Sequence, residues 1–274
     1  MDSASPAYPA TGQSTTPEAA QTEPALSVSA ELSPLPSHSP SPSAPEPPNA
    51  DAPIDYSHYE AVLTFGVSDD HGFRYAALHD DGPLRSRLNQ FIVQIGQTRP
   101  EGYPRDEQLA FYINAYNALV IHSVLEHWPV RSVMNLPGFF DRVRHNIAGR
   151  RLTLNELENS VIRSDVFAEP RIHFAVNCAS EGCPALARAP YQASLLESQL
   201  DTRTRLFLQQ TTRRQGRTLK VTKLFEWFIR DFGGREGVRL FLQEHLPEPL
   251  AALARDPAIR IGTFPYDWSI NARP

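Results

Sequence analysis

Within eleven residues the chain places His173, Asn177, Cys178 and Cys183. An imidazole can take the proton of a thiol, an amide can orient the imidazole, and a thiolate can attack a carbonyl carbon. The two cysteines are the only ones in the chain, and their spacing is Cys-x4-Cys rather than the redox Cys-x-x-Cys. Three readings of the pair compete. One is a nucleophile: Pro184 suits the first turn of a helix, which would put Cys183 at the N-cap, where the dipole favours a thiolate. Another is a small disulfide loop, formed in an oxidising compartment. The third is a pair of metal ligands, but zinc usually wants four ligands, no second cysteine pair exists, and the histidines have no ligand spacing, so no metal and no cofactor is assigned.

The segment Ile172 to Val176 reads as a buried strand. On it His173, Ala175 and Asn177 share one face, and Phe174, Val176 and, if the strand continues, Cys178 share the other. A buried unpaired polar group costs about 1–3 kcal/mol, so His173 and Asn177 need partners. His173 is either a base oriented by an amide or a core histidine satisfied by a backbone carbonyl. In a straight strand Cys178 faces away from His173. Either the strand ends at Asn177, or the following loop returns Cys183 to the imidazole.

Two further segments could contribute. In Asn114-Ala115-Tyr116-Asn117 the two asparagines are three apart and share a helix face, among large apolar neighbours. They read as the polar wall of a pocket, with Tyr116 beside them, or as a solvated stripe. Near the end, Asp267 in Tyr266-Asp267-Trp268 could orient His173 as the third member of a Cys–His–acid set, or the segment could simply pack, with Trp268 covering a core edge.

The elements that must position these groups follow from periodicity. A helix spans about Leu84–Ile95, and the clearest helix runs from about Asp106 to His127, stopped by Pro129. Val143 to Arg151 reads as a hairpin turning at Ala148-Gly149. Thr153-Leu154-Asn155-Glu156 is a capping box opening a helix to about Arg163. Helices over Leu195–Gln210, from Thr222 to Phe232 and over Val238–His245, with short strands at Leu219–Val221 and Ile259–Ile261, complete the set. The fold class is mixed α/β (α+β), with a central helix packed on a small mixed or antiparallel sheet.

Charge and composition bound the rest. Residues 1–53 hold 12 of the 25 prolines and six acids (Asp2, Glu18, Glu23, Glu31, Glu46, Asp51) without a single Lys or Arg. Such a segment cannot offset its chain entropy by burial, so it is expected to be a disordered tail, a tether or a dispensable end. All 26 bases therefore lie in residues 54–274, against 25 of the 31 acids. That near-neutral balance lacks the basic footprint of a nucleic-acid binder. No apolar run is long enough to span a membrane. The first ten residues carry neither a basic n-region nor an apolar h-region, which fits a cytoplasmic protein and equally a processed one.

The run Ala110 to Leu119 and the run Arg171 to Pro184 resemble the hallmark segments of the domain of unknown function 547 family. Gly138-Phe139-Phe140, the helix start Thr153–Glu158 and the closing Tyr266–Asn271 match its layout in order, so the likeness covers about residues 56–271. Tyr112 stands where the family commonly has Trp. The resemblance implies a single globular domain over 54–274 and, as for many bacterial members, a secreted or envelope-associated address as the alternative to a cytoplasmic one. A weaker likeness to papain-like and transglutaminase-like hydrolases implies a nucleophile near the start of the central helix. Asn114 occupies that place here, so the thiol would come from Cys178 or Cys183.

These readings converge on a thiol-dependent hydrolase or transferase acting on an amide or thioester of a small molecule or peptide. Cys178 or Cys183 would be nucleophile, His173 base, and Asn177 or Asp267 orienter, with Asn114, Asn117 and Tyr116 lining the pocket. The rival is a non-catalytic binding or scaffolding module with a Cys178–Cys183 disulfide.

Overall fold

The computed structural model describes residues 54–70 and 72–274; the disorder expected of residues 1–53 falls outside them. Helices α1 (Ser57–Gly66), α2 (Tyr75–Asp80) and α3 (Gly82–Gln97) come first. The expected helix at 84–95 is α3, which starts earlier because Asp81 accepts a hydrogen bond from Leu84 N and Pro83 fits its first turn. Then comes α4 (Arg105–Leu125), buried on almost every side from Leu109 onward. A helix apolar all round belongs in the middle of a core, and α4 lies there, against α2, α3 and the turn that follows the hairpin.

The hairpin is β1 (His145–Ile147) and β2 (Arg150–Leu152), turning through Ala148 and Gly149 at φ of +50° and +73°. Thr153 closes the expected capping box: its hydroxyl accepts from Glu156 N, and the Glu156 carboxylate accepts from Thr153 N at 2.8 Å. The helix it opens, α5 (Leu154–Glu156), widens at once into a π-helical turn over Leu157–Ile162.

Beyond it the sequence expectation fails. Ile172 to Val176 is not a strand; Pro170–Phe174 is a 3-10 turn. Pro170 presets the first turn and the Glu169 carboxylate accepts from Arg171 N, so local capping outweighs β-propensity. The alternating faces expected for His173 and Asn177 therefore do not exist. Nor does Pro184 open a helix with Cys183 as its cap: the chain stays irregular until the 3-10 turn Ala193–Leu195 and α6 (Leu196–Thr211). In α6 Leu196, Leu200, Phe207 and Leu208 are buried, while Leu206, and Leu195 just before the helix, face out.

A buried irregular segment still has to satisfy its peptide groups, and two asparagines of α4 do this. Asn117 donates through Nδ2 to Ala175 O (2.9 Å) and accepts at Oδ1 from Asn177 N (2.8 Å). Asn114 treats Tyr191 the same way, donating to its carbonyl (2.8 Å) and accepting from its amide (2.9 Å). Asn177 continues the chain, donating to Pro184 O and accepting from Ala179 N.

The C-terminal third carries β3 (Arg213–Gln215) antiparallel to β4 (Thr218–Val221), and β5 (Arg260–Thr263) parallel to β4, with β5 at the edge. Between them lie α7 (Leu224–Trp227), α8 (Gly234–His245) and α9 (Leu250–Arg255). The helix expected from Thr222 to Phe232 ends at Trp227, and turns carry the chain to Gly233 and Gly234, both at positive φ. The architecture is thus mixed α/β with two small sheets, but the main neighbours of the central helix are helices and not a sheet. Two hydrophobic clusters result. One is built around α4, and the other, around β4, α7 and α8, includes Phe174. Among the described residues no helix is long and apolar enough to cross a membrane.

Replacing Asn117 with Leu strands both Ala175 O and Asn177 N. We expect a loss of about 2–4 kcal/mol of stability in urea titrations. Asn117→Asp should fall between, because it keeps the acceptor and loses the donor.

Candidate functional site

The two sulfurs are bonded to each other: Cys178 and Cys183 form a disulfide with Cα atoms 6.2 Å apart. No free cysteine remains. The six-residue loop from Cys178 to Cys183 is drawn round so that Cys178 N also points at Cys183 Sγ, 2.9 Å away. Tyr266 brings its hydroxyl to both sulfurs, 3.2 Å from Cys178 and 3.0 Å from Cys183. Gly182 makes room for it, since a Cβ there would lie 2.9 Å from the Tyr266 ring. Burial pushes the phenol's pKa well up, and the neighbouring Glu158 and Asp267 charges add to the effect.

The C-terminal segment is laced to this loop through its backbone. Glu181 N donates to Ser269 O, Gly182 N to Asp267 O, and Asn271 N to Ala179 O. The Asp267 carboxylate, however, accepts from Ser269 and makes no bond to His173. The acid on His173 is Asp231, whose Oδ2 is 2.7 Å from Nε2. Arg163 binds the same carboxylate at both oxygens, with Nε at 2.6 Å and Nη2 at 2.9 Å. Phe228 stacks on the imidazole with centroids 4.0 Å apart, and the Arg163 guanidinium carbon sits 4.6 Å from the same ring's centroid.

This network fixes the proton inventory. Burial lowers the His173 pKa, and the attraction of Asp231 only partly opposes it. Burial also raises the carboxyl of Asp231, but hydrogen bonds from His173 and Arg163 outweigh it and hold the group well below the usual carboxylate range. The pair is therefore neutral imidazole beside carboxylate, with the carboxylate's charge met by Arg163. A neutral ring donating from Nε2 carries its lone pair on Nδ1, and Nδ1 is buried without a hydrogen-bond partner.

His173, both cysteines, Tyr116, Glu158 and Tyr266 line one cavity of about 10 Å³. The structure thus brings together His173, Cys178, Cys183 and Tyr116 of the residues singled out from sequence. It places Asn114, Asn117 and Asn177 behind them as backbone clamps, and it leaves the Asp267 carboxylate outside. Sequence reasoning missed Asp231, Arg163 and Glu158. Asp231 lies 58 residues from His173, and the one signal for it was an acid, beside Glu226, inside the aromatic run Phe225 to Phe232. Among the described residues no group of His, Cys, Asp and Glu could hold a metal ion.

Two larger hollows lie outside this centre. One, of about 320 Å³, has Arg163, Glu169, Arg230 and Asp231 in its wall, so the far side of the Asp231 carboxylate borders open space. The other, of about 700 Å³, runs between α7, the start of α8 and β5.

Residues 100–208 match the model of the family described as "Protein of unknown function, DUF547". This stretch, from the turn before α4 into the last turn of α6, is a DUF547 domain. No curated protein matches the chain, and no solved structure does. The likeness to papain-like and transglutaminase-like folds therefore finds no counterpart in a known structure.

Two pH effects follow. The folded pKa of His173 is depressed, and that of His145 is depressed to about 4. The unfolded chain binds those protons first, so stability is complete above about pH 6.5 and falls as the pH drops below it. The Asp231 pKa is also depressed when folded, so its share is lost only at lower pH, through the carboxylate range. Urea midpoints should fall from pH 7.5 to pH 5 and again below pH 4. Asp231→Asn, which leaves Arg163 buried without its anion, should cost about 3 kcal/mol at pH 7.5.

Proposed function

We propose that the DUF547 domain at residues 100–208, completed by Asp231 and Tyr266, is a thiol-dependent hydrolase or transferase of amides or thioesters, with the disulfide as its oxidised resting form. The observation carrying this reading is the shared cavity: a neutral imidazole, held in one tautomer by a carboxylate, and the Cys178–Cys183 bridge line the same small space.

The chemistry begins with a dithiol reductant. Two electrons and two protons pass to the bridge, the S–S bond breaks, and the reductant leaves as its own disulfide. Cys183, the less buried of the two cysteines, is the nucleophile. His173 Nδ1 takes its proton, Asp231 steadies the imidazolium, and the Tyr266 hydroxyl donates to the thiolate. The sulfur attacks the substrate carbonyl, a C–S bond forms, and the amine or thiol departs with the proton from His173. Water or an acceptor nucleophile then attacks the acyl group, and Cys183 leaves as the thiol. Tyr116 contributes to the wall, and Asp231 takes the orienting role first given to Asn177 or Asp267.

A second reading has its own support. The sulfurs are joined, and a cavity of about 10 Å³ has room for about one water. On that reading the bridge is a permanent staple of a non-catalytic binding or scaffolding module in an oxidising compartment.

Alkylation separates the two. The protein is reduced with a dithiol, freed of reductant and treated with iodoacetamide across a pH series, with each cysteine followed by mass spectrometry. The enzyme reading expects Cys183 to react with an apparent pKa at least about one unit below 8.5, returning toward 8.5 in His173→Ala. It also expects an acyl adduct on Cys183 from a simple thioester, absent in Cys183→Ser. An unshifted or raised thiol pKa with no acyl adduct overturns it and leaves the staple.

A further inference from the structure

The groove of about 700 Å³ shares no lining residue with the sulfur centre and plays no part in the chemistry proposed there. Its floor is apolar, with Phe225, Ile229, Val238 and Ile261, and two arginines, Arg235 and Arg260, stand exposed on its rim. One of its walls is β5, the edge strand of the sheet. The register decides which peptide groups of β5 are used. Arg260 N donates to Arg217 O and Phe264 N to Val221 O, so the even-numbered residues face β4. Ile261 and Thr263 therefore turn their N–H groups away from β4, and of the peptide oxygens on that side the Thr263 carbonyl accepts from the Lys220 side chain at 3.0 Å. An unpaired strand edge beside an apolar trough is a template for one more strand.

The local charge favours an acidic occupant. Residues 213–239 carry eight bases (Arg213, Arg214, Arg217, Lys220, Lys223, Arg230, Arg235, Arg239) against three acids (Glu226, Asp231, Glu236), in a body that is nearly neutral as a whole. Glu226 is held by Lys223 and Thr263, and Asp231 by Arg163 and His173, which leaves Glu236 as the acid on the groove's rim. A second copy of the chain would bring the same arginines against these.

The chain has a segment of the opposite kind. Residues 1–53 contain acids and no Lys or Arg, and their longest proline-free run is Ala25-Leu26-Ser27-Val28-Ser29-Ala30-Glu31-Leu32-Ser33. In an extended conformation Leu26, Val28, Ala30 and Leu32 fall on one face, and Ser27, Ser29, Glu31 and Ser33 on the other. Residues 34–53 connect this run to α1. Twenty residues reach about 65 Å when extended, more than the diameter of about 45 Å expected for a body of 220 residues.

We propose that residues 25–33 dock in this groove as an added strand on β5, with Leu26, Val28 and Leu32 toward Phe225, Val238 and Ile261 and the segment's one acid, Glu31, toward Arg235 and Arg260. The N-terminal segment is then an intramolecular ligand of the groove.

The test uses the full chain. Val28 is replaced by the photo-crosslinking residue p-benzoylphenylalanine, the dilute protein is irradiated, and the products are mapped by mass spectrometry. Hydrogen exchange at Ile261 and Thr263 is compared between the parent and the double variant Leu26→Asp/Val28→Asp, whose changes leave every described residue as it is. Crosslinks within one chain to residues 225–239 or 260–263, and exchange about tenfold faster in the double variant, are the expected results. Arg235→Glu/Arg260→Glu should speed exchange in the same direction. Crosslinks between chains assign the groove to a second copy and overturn the proposal. Crosslinks elsewhere, or exchange unchanged in the double variant, overturn it as well, even if an added acidic peptide then protects the groove.

Discussion

The amide side chains of Asn114 and Asn117 bond to main chain that belongs to no sheet, and the site exists because they do. From Pro170 to Tyr191 the backbone runs in turns and coil, and from Ile172 to Ser180 every residue is buried. Peptide groups in such a place would each cost 1–3 kcal/mol if unpaired, by the usual order of magnitude. An asparagine side chain has the donor and acceptor of a peptide group, so one residue on a rigid helix can stand in for a neighbouring strand. Asn117 serves Ala175 and Asn177, and Asn114 serves both sides of Tyr191. The helix that carries them is apolar on its other faces because it is also the centre of the larger core.

That arrangement puts His173 where two hydrophobic clusters meet. Its neighbour Phe174 packs into the cluster formed by β4, α7 and α8, while Ile172, Ala175 and Val176 belong to the one around α4. The imidazole is buried at the junction, and its polar edge is met by Asp231 and Arg163 from either side. Burial favours the neutral ring, the carboxylate fixes its tautomer, and Arg163 keeps that carboxylate from charging it. Each of these follows from placing a basic group in a dry seam between two cores. The C-terminal segment completes the enclosure by bringing Tyr266 over the sulfurs and lacing its own backbone to the cysteine loop.

Sequence patterns and structure part company in an instructive place. The α4 helix, the hairpin and the capping box at Thr153 were legible because each depends on neighbours a few residues apart. Ile172 to Val176 has the apolar character of a strand, yet strand formation needs a partner strand, and here the partner is a pair of side chains on a helix. The asparagines were recognisable as unusual in an apolar helix, and their partners were not. The helix expected over Leu195–Gln210 has apolar residues on both sides: Leu206 faces out, as does Leu195 just before α6, while Leu196, Leu200, Phe207 and Leu208 are buried.

By itself the sequence determined the mixed class, the long buried helix, the kinship of residues 100–208 and the crowding of imidazole, amide and thiols in one stretch. Those are matters of residue type and short-range spacing. Only the tertiary structure decided that the sulfurs are joined, that Asp231 and not Asp267 faces His173, and that Tyr266 reaches the bridge. Each of those pairings except the bridge joins positions 58 to 88 apart, and the bridge itself depends on a loop geometry that Cys-x4-Cys permits without requiring. Chain entropy leaves such long-range partners unspecified until packing of the whole body fixes them.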